Sequence, residues 1–123
     1  MRFMTIVKTR EINFQPPQEL LDRINKLAED AAGKGEFAGM GGLGPTALGA
    51  RVRLSKGKIT VTDGPFTEAK EIIGGYAIFD VKSKKEALEY TRRFLEAHIG
   101  LFDQDMEDEV RQMMDEPPPS EGR

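Results

Sequence analysis

The sequence predicts an α+β domain: a ferredoxin-like sandwich of one sheet and two helices, with a β-hairpin inserted in mid-chain. Two stretches of the chain carry apolar residues at helical spacing, three β-rich runs flank or separate them, and a tight turn joins two alternating segments. The order strand, helix, strand, hairpin, strand, helix and a final segment suits this fold class. A length of 123 residues is sufficient for one such domain.

The first third of the chain predicts a strand and a helix. Residues 3–7 form a β-rich run with apolar side chains on both faces, which indicates an interior strand. The Pro16-Pro17 pair favours a helix start, because proline lacks only an N–H group that the first helical turn leaves unpaired. Gly33 and Gly35 end this helix. Its apolar residues recur at helical spacing: Leu20, Ile24, Leu27 and Ala31.

The middle of the chain predicts an irregular strand followed by a hairpin. Residues 37–43 are rich in glycine, which is typical of an irregular strand. Residues 50–54 and 58–62 alternate apolar and polar side chains on either side of Ser55-Lys56-Gly57. Gly57 supplies the positive φ that a tight turn requires, so these two segments are expected to pair.

The last third predicts a strand, a helix and a segment that the local pattern leaves open. Residues 76–81 follow Gly74-Gly75 and read as a strand that is apolar on both faces. Ser83 and Glu86 fit a capping box, in which serine accepts from the third helical N–H and glutamate reaches back to the N–H of the cap. Residues 109–114 suit helix or strand equally. The second helix carries one stripe of Ala87, Thr91, Phe94 and Leu95.

The apolar patterning also predicts an oligomer. Two helices cover only one face of a sheet, yet the inner strands are apolar on both faces, so a second copy of the chain is expected to cover the other face. We therefore expect a homodimer. Residues 1–115 are expected to form a single domain. Residues 116–123 are expected to form a disordered tail, because their proline-rich composition supports neither helix nor sheet.

Composition excludes several classes of protein. Lys+Arg 18 against Asp+Glu 21 gives a net charge of −3, so no basic patch predicts direct nucleic-acid binding. No apolar run approaches the ~18 residues of a membrane-spanning helix, and the N-terminus lacks the layout of a signal peptide. The absence of cysteine fits a reducing, cytoplasmic compartment. With one histidine and no cysteine, the sequence predicts no metal and no cofactor.

Three motifs have simpler structural interpretations. Residues 39–44 match G-x-G-x-x-G, but they lead toward a hairpin instead of opening a helix, so they predict glycines that leave room for a pocket, not a dinucleotide site. Residues 103–107 carry three acidic side chains, but the sixth and twelfth positions of a calcium loop are Asp108 and Met114. His98 is expected at the end of the second helix, near the negative end of its dipole, or on the surface.

Residues 62–71 combine several ionisable side chains with a turn and an aromatic ring, and are therefore the strongest candidate for a functional site. Asp63 follows a strand end, and Gly64 and Pro65 set a turn. A carboxylate held by a turn beside an aromatic ring can be desolvated toward a pKa useful for acid/base chemistry, so Asp63 is the candidate catalytic residue. Aspartate before Gly-Pro also commonly accepts from the N–H groups of its own turn, so a structural role stays open. The candidate binding residues are Arg53, Phe66, Glu68, Lys70 and Tyr76.

The same segment resembles a known family. Asp63-Gly64-Pro65-Phe66, followed by Glu68-x-Lys70-Glu71 and Gly74-Gly75-Tyr76, is similar to the signature of the DGPF branch of the YCII-related family. Further similarity extends over about residues 2–114. The resemblance implies a dimeric α+β barrel of ferredoxin-like subunits, with a final strand at residues 109–113. The wider family has a His-Asp pair in a pocket, but no histidine lies in this chain's first helix or sheet.

Two functions are consistent with these observations. The first is binding of a small molecule in a pocket near Asp63, with cofactor-free acid/base catalysis, Lys70 or Arg53 as the charge partner and Tyr76 as a donor. The second is a non-catalytic dimeric module that binds a ligand or a protein. The resemblance implies an association with a sigma factor or another transcription regulator of bacteria. Whether the protein is an enzyme stays open, because the sequence names no substrate, reaction or partner.

Overall fold

The computed structural model describes residues 1–114. The chain forms strands β1 (Arg2–Thr9), β2 (Phe37–Gly42), β3 (Ala50–Ser55), β4 (Lys58–Asp63), β5 (Ile72–Asp80) and β6 (Met106–Gln112), with helices α1 (Gln18–Gly33) and α2 (Lys84–Glu96). A single turn of 3₁₀ helix, Thr46–Leu48, precedes β3. The predicted tail at 116–123 and the domain limit at 115 lie outside the described residues.

The strands form two sheets. Four strands pair antiparallel in the order β2-β5-β1-β6, and β3 pairs with β4 as a separate hairpin. The predicted α+β class is confirmed, and the strand order is that of a ferredoxin-like sandwich with a hairpin inserted between β2 and β5. The interior position predicted for the first strand is also confirmed, since β1 lies between β5 and β6.

The turn of the hairpin has the predicted chemistry. Lys56 and Gly57 adopt φ of 50° and 76°. A turn with two successive positive φ angles matches the right-handed twist of the flanking strands. Glycine is favoured in such turns because it adopts a positive φ without a steric penalty. The capping prediction is correct for Ser83, whose Oγ accepts from the Glu86 N–H at 3.3 Å. It is wrong for Glu86, whose carboxylate accepts from the Lys82 N–H instead of the cap N–H.

The predicted position of the Gly74-Gly75 pair is wrong. Both glycines lie inside β5, which starts at Ile72. Gly75 pairs with Val7, and the register then shifts so that Ile73 pairs with Lys8, which leaves Gly74 as the extra residue of a bulge. A strand tolerates two glycines here because both neighbouring strands supply backbone hydrogen-bond partners.

The core lies between the helices and one face of the four-stranded sheet. Ala31 and Ala87 are fully buried, and their small side chains bring the helices close to the sheet. The Phe79 and Tyr90 rings stack with centroids 4.8 Å apart. The Thr5 and Thr91 hydroxyls are 2.8 Å apart, which fixes α2 on β1. The core residues are Phe3, Leu27, Ala31, Phe79, Val81, Ala87 and Tyr90.

The opposite face of the sheet has no covering layer within residues 1–114. Directly paired residues share a face, so Met4 and Ile78 lie together, as do Ile6 and Tyr76. At the β6 edge, the Lys8 ammonium lies 2.7 Å from a Glu109 carboxylate oxygen on this face. In residues 1–114, neither helix is long and apolar enough to cross a membrane.

Candidate functional site

A cavity of about 470 Å³ lies between the helices and the sheet. Its volume falls in the range typical of small-molecule sites. Most of its wall is apolar, and the residues that line it include no Lys, Arg, Asp or Glu. The aromatic and methionine side chains of the wall are Phe14, Phe37, Met40, Phe79, Phe94, Phe102 and Met106.

Missing side chains in two adjacent strands make room for the cavity. Gly75 pairs with both Val7 and Gly42, so the three residues form one row across the sheet. The row faces the helices, because Val7 alternates with the buried Phe3 and Thr5. Neither glycine places a side chain into the space above the sheet. Gly41 and Gly42 line the cavity, as the glycine-rich segment predicts.

His98 brings a polar ring to the cavity wall. It lies just beyond the end of α2, between the rings of Phe94 and Phe102, whose centroids are 4.8 Å and 6.0 Å from its own. Its Nδ1 lies 2.8 Å from the Phe94 carbonyl oxygen. Burial lowers the pKa of the imidazole, and the hydrogen bond to Phe94 only partly offsets this. The position at the helix end was predicted, but the ring lines a cavity and favours the neutral form.

Asp108 is a buried acid next to this region. It pairs with Val7 and lies on the helix-facing side of β6. Both carboxylate oxygens are shielded from solvent and have no hydrogen-bond partner within residues 1–114. Burial raises the pKa of this carboxyl to about 6. Asp108 does not line the cavity, although its neighbours Val7 and Met106 do.

The residues predicted around Asp63 lie elsewhere, with one exception. Asp63 is exposed at the end of β4, where it pairs with Ala50. Arg53, on β3, and Lys70 are also exposed. Tyr76 is a partial exception: it borders the cavity, but its side chain lies with Ile6 on the face of the sheet that the helices leave uncovered. The structure therefore separates the predicted acid from this cavity.

Arg51 connects the hairpin to the segment that follows it. Its guanidinium lies over the Phe66 ring, 3.9 Å from the centroid, and its Nη1 donates to a Glu68 carboxylate oxygen. The pKa of Glu68 is lowered by its own backbone N–H first and by Arg51 second. Phe66 and Glu68, both predicted as binding residues, thus have a partner within the chain. Arg51 was not among the predicted site residues.

Thr46 anchors the same segment from the other side. Its N–H and hydroxyl donate to the two carboxylate oxygens of Glu11, at 2.8 and 2.6 Å. The Phe66 N–H donates to the Thr46 hydroxyl at 3.0 Å. A Cβ at Gly64 would lie 1.7 Å from the Thr46 carbonyl oxygen. The glycine at this position is therefore required by close backbone approach, whatever the role of Asp63.

Comparison with known proteins assigns the chain to a family. The model of the YCII-related domain matches residues 1–118. The chain belongs to the YCII-related family. It is also 40% identical over 58 residues to a protein of Rhizobium meliloti (strain 1021) described only as uncharacterised. That match covers 47% of this chain and 47% of the other, so the chain spans about half the length of this relative.

Two features of this YCII-related protein escaped sequence reasoning. The burial of Asp108 could have been predicted by reading residues 106–112 as a strand, because Asp108 then shares a face with Met106 and Val110. The place of His98 in the wall has no comparable local signal, since it depends on how the chain after α2 crosses the cavity. Within residues 1–114, no three His, Asp or Glu side chains are grouped to hold a metal ion.

Proposed function

We propose that this protein binds a small, uncharged and mainly apolar molecule in the cavity between its helices and its sheet. The cavity itself carries the proposal: about 470 Å³ is enclosed by aromatic, methionine and aliphatic side chains. Burial of apolar ligand surface supplies the affinity. The absence of charged side chains from the wall favours a neutral ligand, because an ion would lose its hydration without gaining a partner.

The substitution Gly42→Leu tests this proposal. Gly42 lines the cavity, its φ is not positive, and a Cβ there meets no atom within 4 Å, so leucine occupies free space without backbone strain. The probe is 2-naphthol, whose fluorescence is readily followed because the protein contains no tryptophan. We expect its dissociation constant to rise ~10-fold or more, since the added side chain competes for the same space.

Gly33→Leu is the matched control. Gly33 ends α1, and a Cβ there also meets nothing within 4 Å, but the residue does not line the cavity. This variant is expected to bind 2-naphthol as the wild type does. Equal binding by Gly42→Leu and wild type, or no binding by wild type, would contradict the proposed function.

The acid/base role of Asp63 stays a prediction. Asp63 is exposed and does not line the cavity, so a reaction at Asp63 would need a second, more open site. The substitution Asp63→Asn separates the two locations. Unchanged 2-naphthol binding by this variant is expected for the cavity proposal, whereas a loss of binding would place Asp63 in the ligand site.

A second candidate function is self-association through uncovered apolar faces. Val52 and Val61 pair on one face of the hairpin, as do Leu54 and Ile59, and these four side chains are 65–72% exposed. The uncovered face of the main sheet adds Ile73 and Tyr76, which are 52% and 38% exposed. Apolar patches of this kind on a folded chain mark interaction surfaces. A second copy covering both would give the dimeric barrel that the resemblance implies.

Val52→Glu tests the self-association. A dimer that uses the hairpin buries Val52, so a charge there is expected to raise its dissociation constant ~30-fold or more in sedimentation velocity. Thr60→Glu is the control, because Thr60 pairs with Arg53 on the polar face of the same hairpin. A wild type that is monomeric at micromolar concentration would rule out the dimer. The faces would then suit another protein, such as the sigma factor or transcription regulator that the resemblance implies.

A further inference from the structure

The hydrogen bond of His98 determines which ring nitrogen carries the proton. The Phe94 carbonyl oxygen can only accept, so Nδ1, at 2.8 Å from it, must be the donor. Neutral imidazole carries one N–H, which leaves Nε2 with a free lone pair. Burial favours this neutral form by lowering the pKa of the ring. The ring is held between Phe94 and Phe102, so the direction of this lone pair is restricted.

The other buried polar groups of the wall already have partners. Thr91 donates its hydroxyl to the Ala87 carbonyl oxygen at 2.9 Å, and the Thr5 hydroxyl lies 2.8 Å from that of Thr91. The Nε2 atom of His98 makes no hydrogen bond within the part of the chain that the structure describes, and it is not among the atoms sealed from solvent there. Nε2 is therefore free to accept a hydrogen bond from a ligand in the cavity that His98 lines.

We propose that His98 Nε2 accepts a hydrogen bond from the ligand, and that the ligand class is an uncharged apolar ring or chain with a single O–H or N–H donor, such as a phenol. This inference rests on the proposed function, since it names the polar contact of the same cavity. An acceptor-only group is disfavoured because it would face the Nε2 lone pair. A carboxylate is disfavoured further, because no Lys or Arg lines the wall.

Three probes of one size class test the donor requirement. These are 2-naphthol, which donates, 2-methoxynaphthalene, which does not, and 2-naphthoate, which is an anion. For wild type we expect 2-naphthol to bind ~10-fold more tightly than 2-methoxynaphthalene, in line with one hydrogen bond to a buried acceptor, and 2-naphthoate to bind most weakly. The quantity compared is the ratio of the dissociation constants of two probes for the same protein, so small differences in stability between variants cancel.

His98→Phe removes the acceptor and keeps an aromatic ring in the wall. The preference for 2-naphthol is expected to fall to about 1, while binding of 2-methoxynaphthalene changes little. Gly42→Leu is expected to weaken both probes and leave their ratio unchanged. Equal binding of both probes by wild type, with Gly42→Leu weakening both, would overturn the role of His98 and leave the cavity proposal standing. Binding of none of the three probes would overturn both.

A measurement on the wild-type protein tests the same contact without requiring that the His98→Phe variant folds. His98 is the chain's one histidine, so imidazole ¹⁵N spectra contain signals from a single ring. Addition of 2-naphthol is expected to shift the Nε2 signal as it gains a hydrogen bond, with Nδ1 less affected because it stays bonded to Phe94. A bound probe that leaves the Nε2 signal unmoved would contradict the proposal.

Discussion

Replacing Gly64 by alanine is expected to detach residues 63–66 from the 3₁₀ turn at Thr46–Leu48. The added Cβ would lie 1.7 Å from the Thr46 carbonyl oxygen and 2.6 Å from its carbon. These are backbone atoms, and Thr46 is held by two hydrogen bonds to Glu11, so neither side can move without losing its contacts. Overpacking of this kind costs about 3 kcal/mol.

The expected loss of structure is confined to this segment, because residues 63–66 are not part of the core. Amide hydrogen exchange is therefore the most sensitive measurement of this local opening. The Gly64 N–H donates to the Gly49 carbonyl oxygen at 2.8 Å and the Phe66 N–H to the Thr46 hydroxyl at 3.0 Å, and both amides are expected to exchange up to ~100-fold faster. Gly33→Ala, with open space around its Cβ, is the control. Wild-type exchange in Gly64→Ala would show that the close contact is not maintained in solution.

Replacing Asp108 by asparagine is expected to stabilise the protein above neutral pH. Burial raises the pKa of Asp108 from its ordinary 3.8 to about 6, so the folded state binds this proton more tightly than the unfolded state. Well below pH 3.8 the carboxyl is protonated in both the folded and the unfolded state, so Asp108 does not affect stability there. As the pH rises to 6 and beyond, folding must bury a carboxylate that lacks a hydrogen-bond partner in residues 1–114. The free energy of unfolding therefore falls between about pH 4 and pH 6 and stays at the lower value above pH 6.

The size of the Asp108 effect follows from the two pKa values. Their difference corresponds to ~3 kcal/mol for a fully buried group, and the partial exposure of this side chain reduces the expected gain to about 1–2 kcal/mol. Urea unfolding of wild type and Asp108→Asn at pH 4 and pH 8 measures it. The two proteins should be similar at pH 4 and differ at pH 8.

Glu107→Gln is the control for this comparison. Glu107 is the preceding residue of β6, is exposed, and lies on the opposite face of the strand. The Glu107→Gln substitution is expected to change the free energy of unfolding by less than ~0.5 kcal/mol at both pH values. A pH-independent difference between Asp108→Asn and wild type would mean that Asp108 is solvated in the folded protein.

Local patterns predicted most of the secondary structure. The spacing of Leu20, Leu27 and Ala31 predicted α1, and all three are buried. The Lys56-Gly57 turn predicted the hairpin, because positive φ is a property of these residues themselves. The Gly74-Gly75 pair predicted the wrong start for β5, since glycines usually interrupt a strand, and only pairing with β1 and β2 keeps them in β5.

The candidate site was predicted less well. Asp63 was chosen because charge, turn and aromatic ring are close in sequence, but Phe66 and Glu68 contact Arg51, and Asp63 lies exposed at the strand end. The cavity instead combines Gly42, Gly75 and His98, which come from three parts of the chain far apart in sequence. Their proximity depends on sheet register and on the path of the chain after α2, and neither leaves a mark in any short segment.

Local residue patterns were enough to predict the α+β class, the two helices, the hairpin and the glycine-rich strand, because periodicity, caps and turn residues act over a few neighbouring positions. The local pattern at residues 109–114 suited helix or strand equally, and the resemblance implied a strand at 109–113. Pairing with β1 confirms a strand, which spans residues 106–112. The burial of the Asp108 carboxylate follows only from the folded structure. The tertiary structure also decided that the row Val7, Gly75 and Gly42 opens a cavity with His98 in its wall. The pairing of β6, the burial of Asp108 and the shape of the cavity all depend on packing between segments that are far apart in the sequence, so no short segment predicts them.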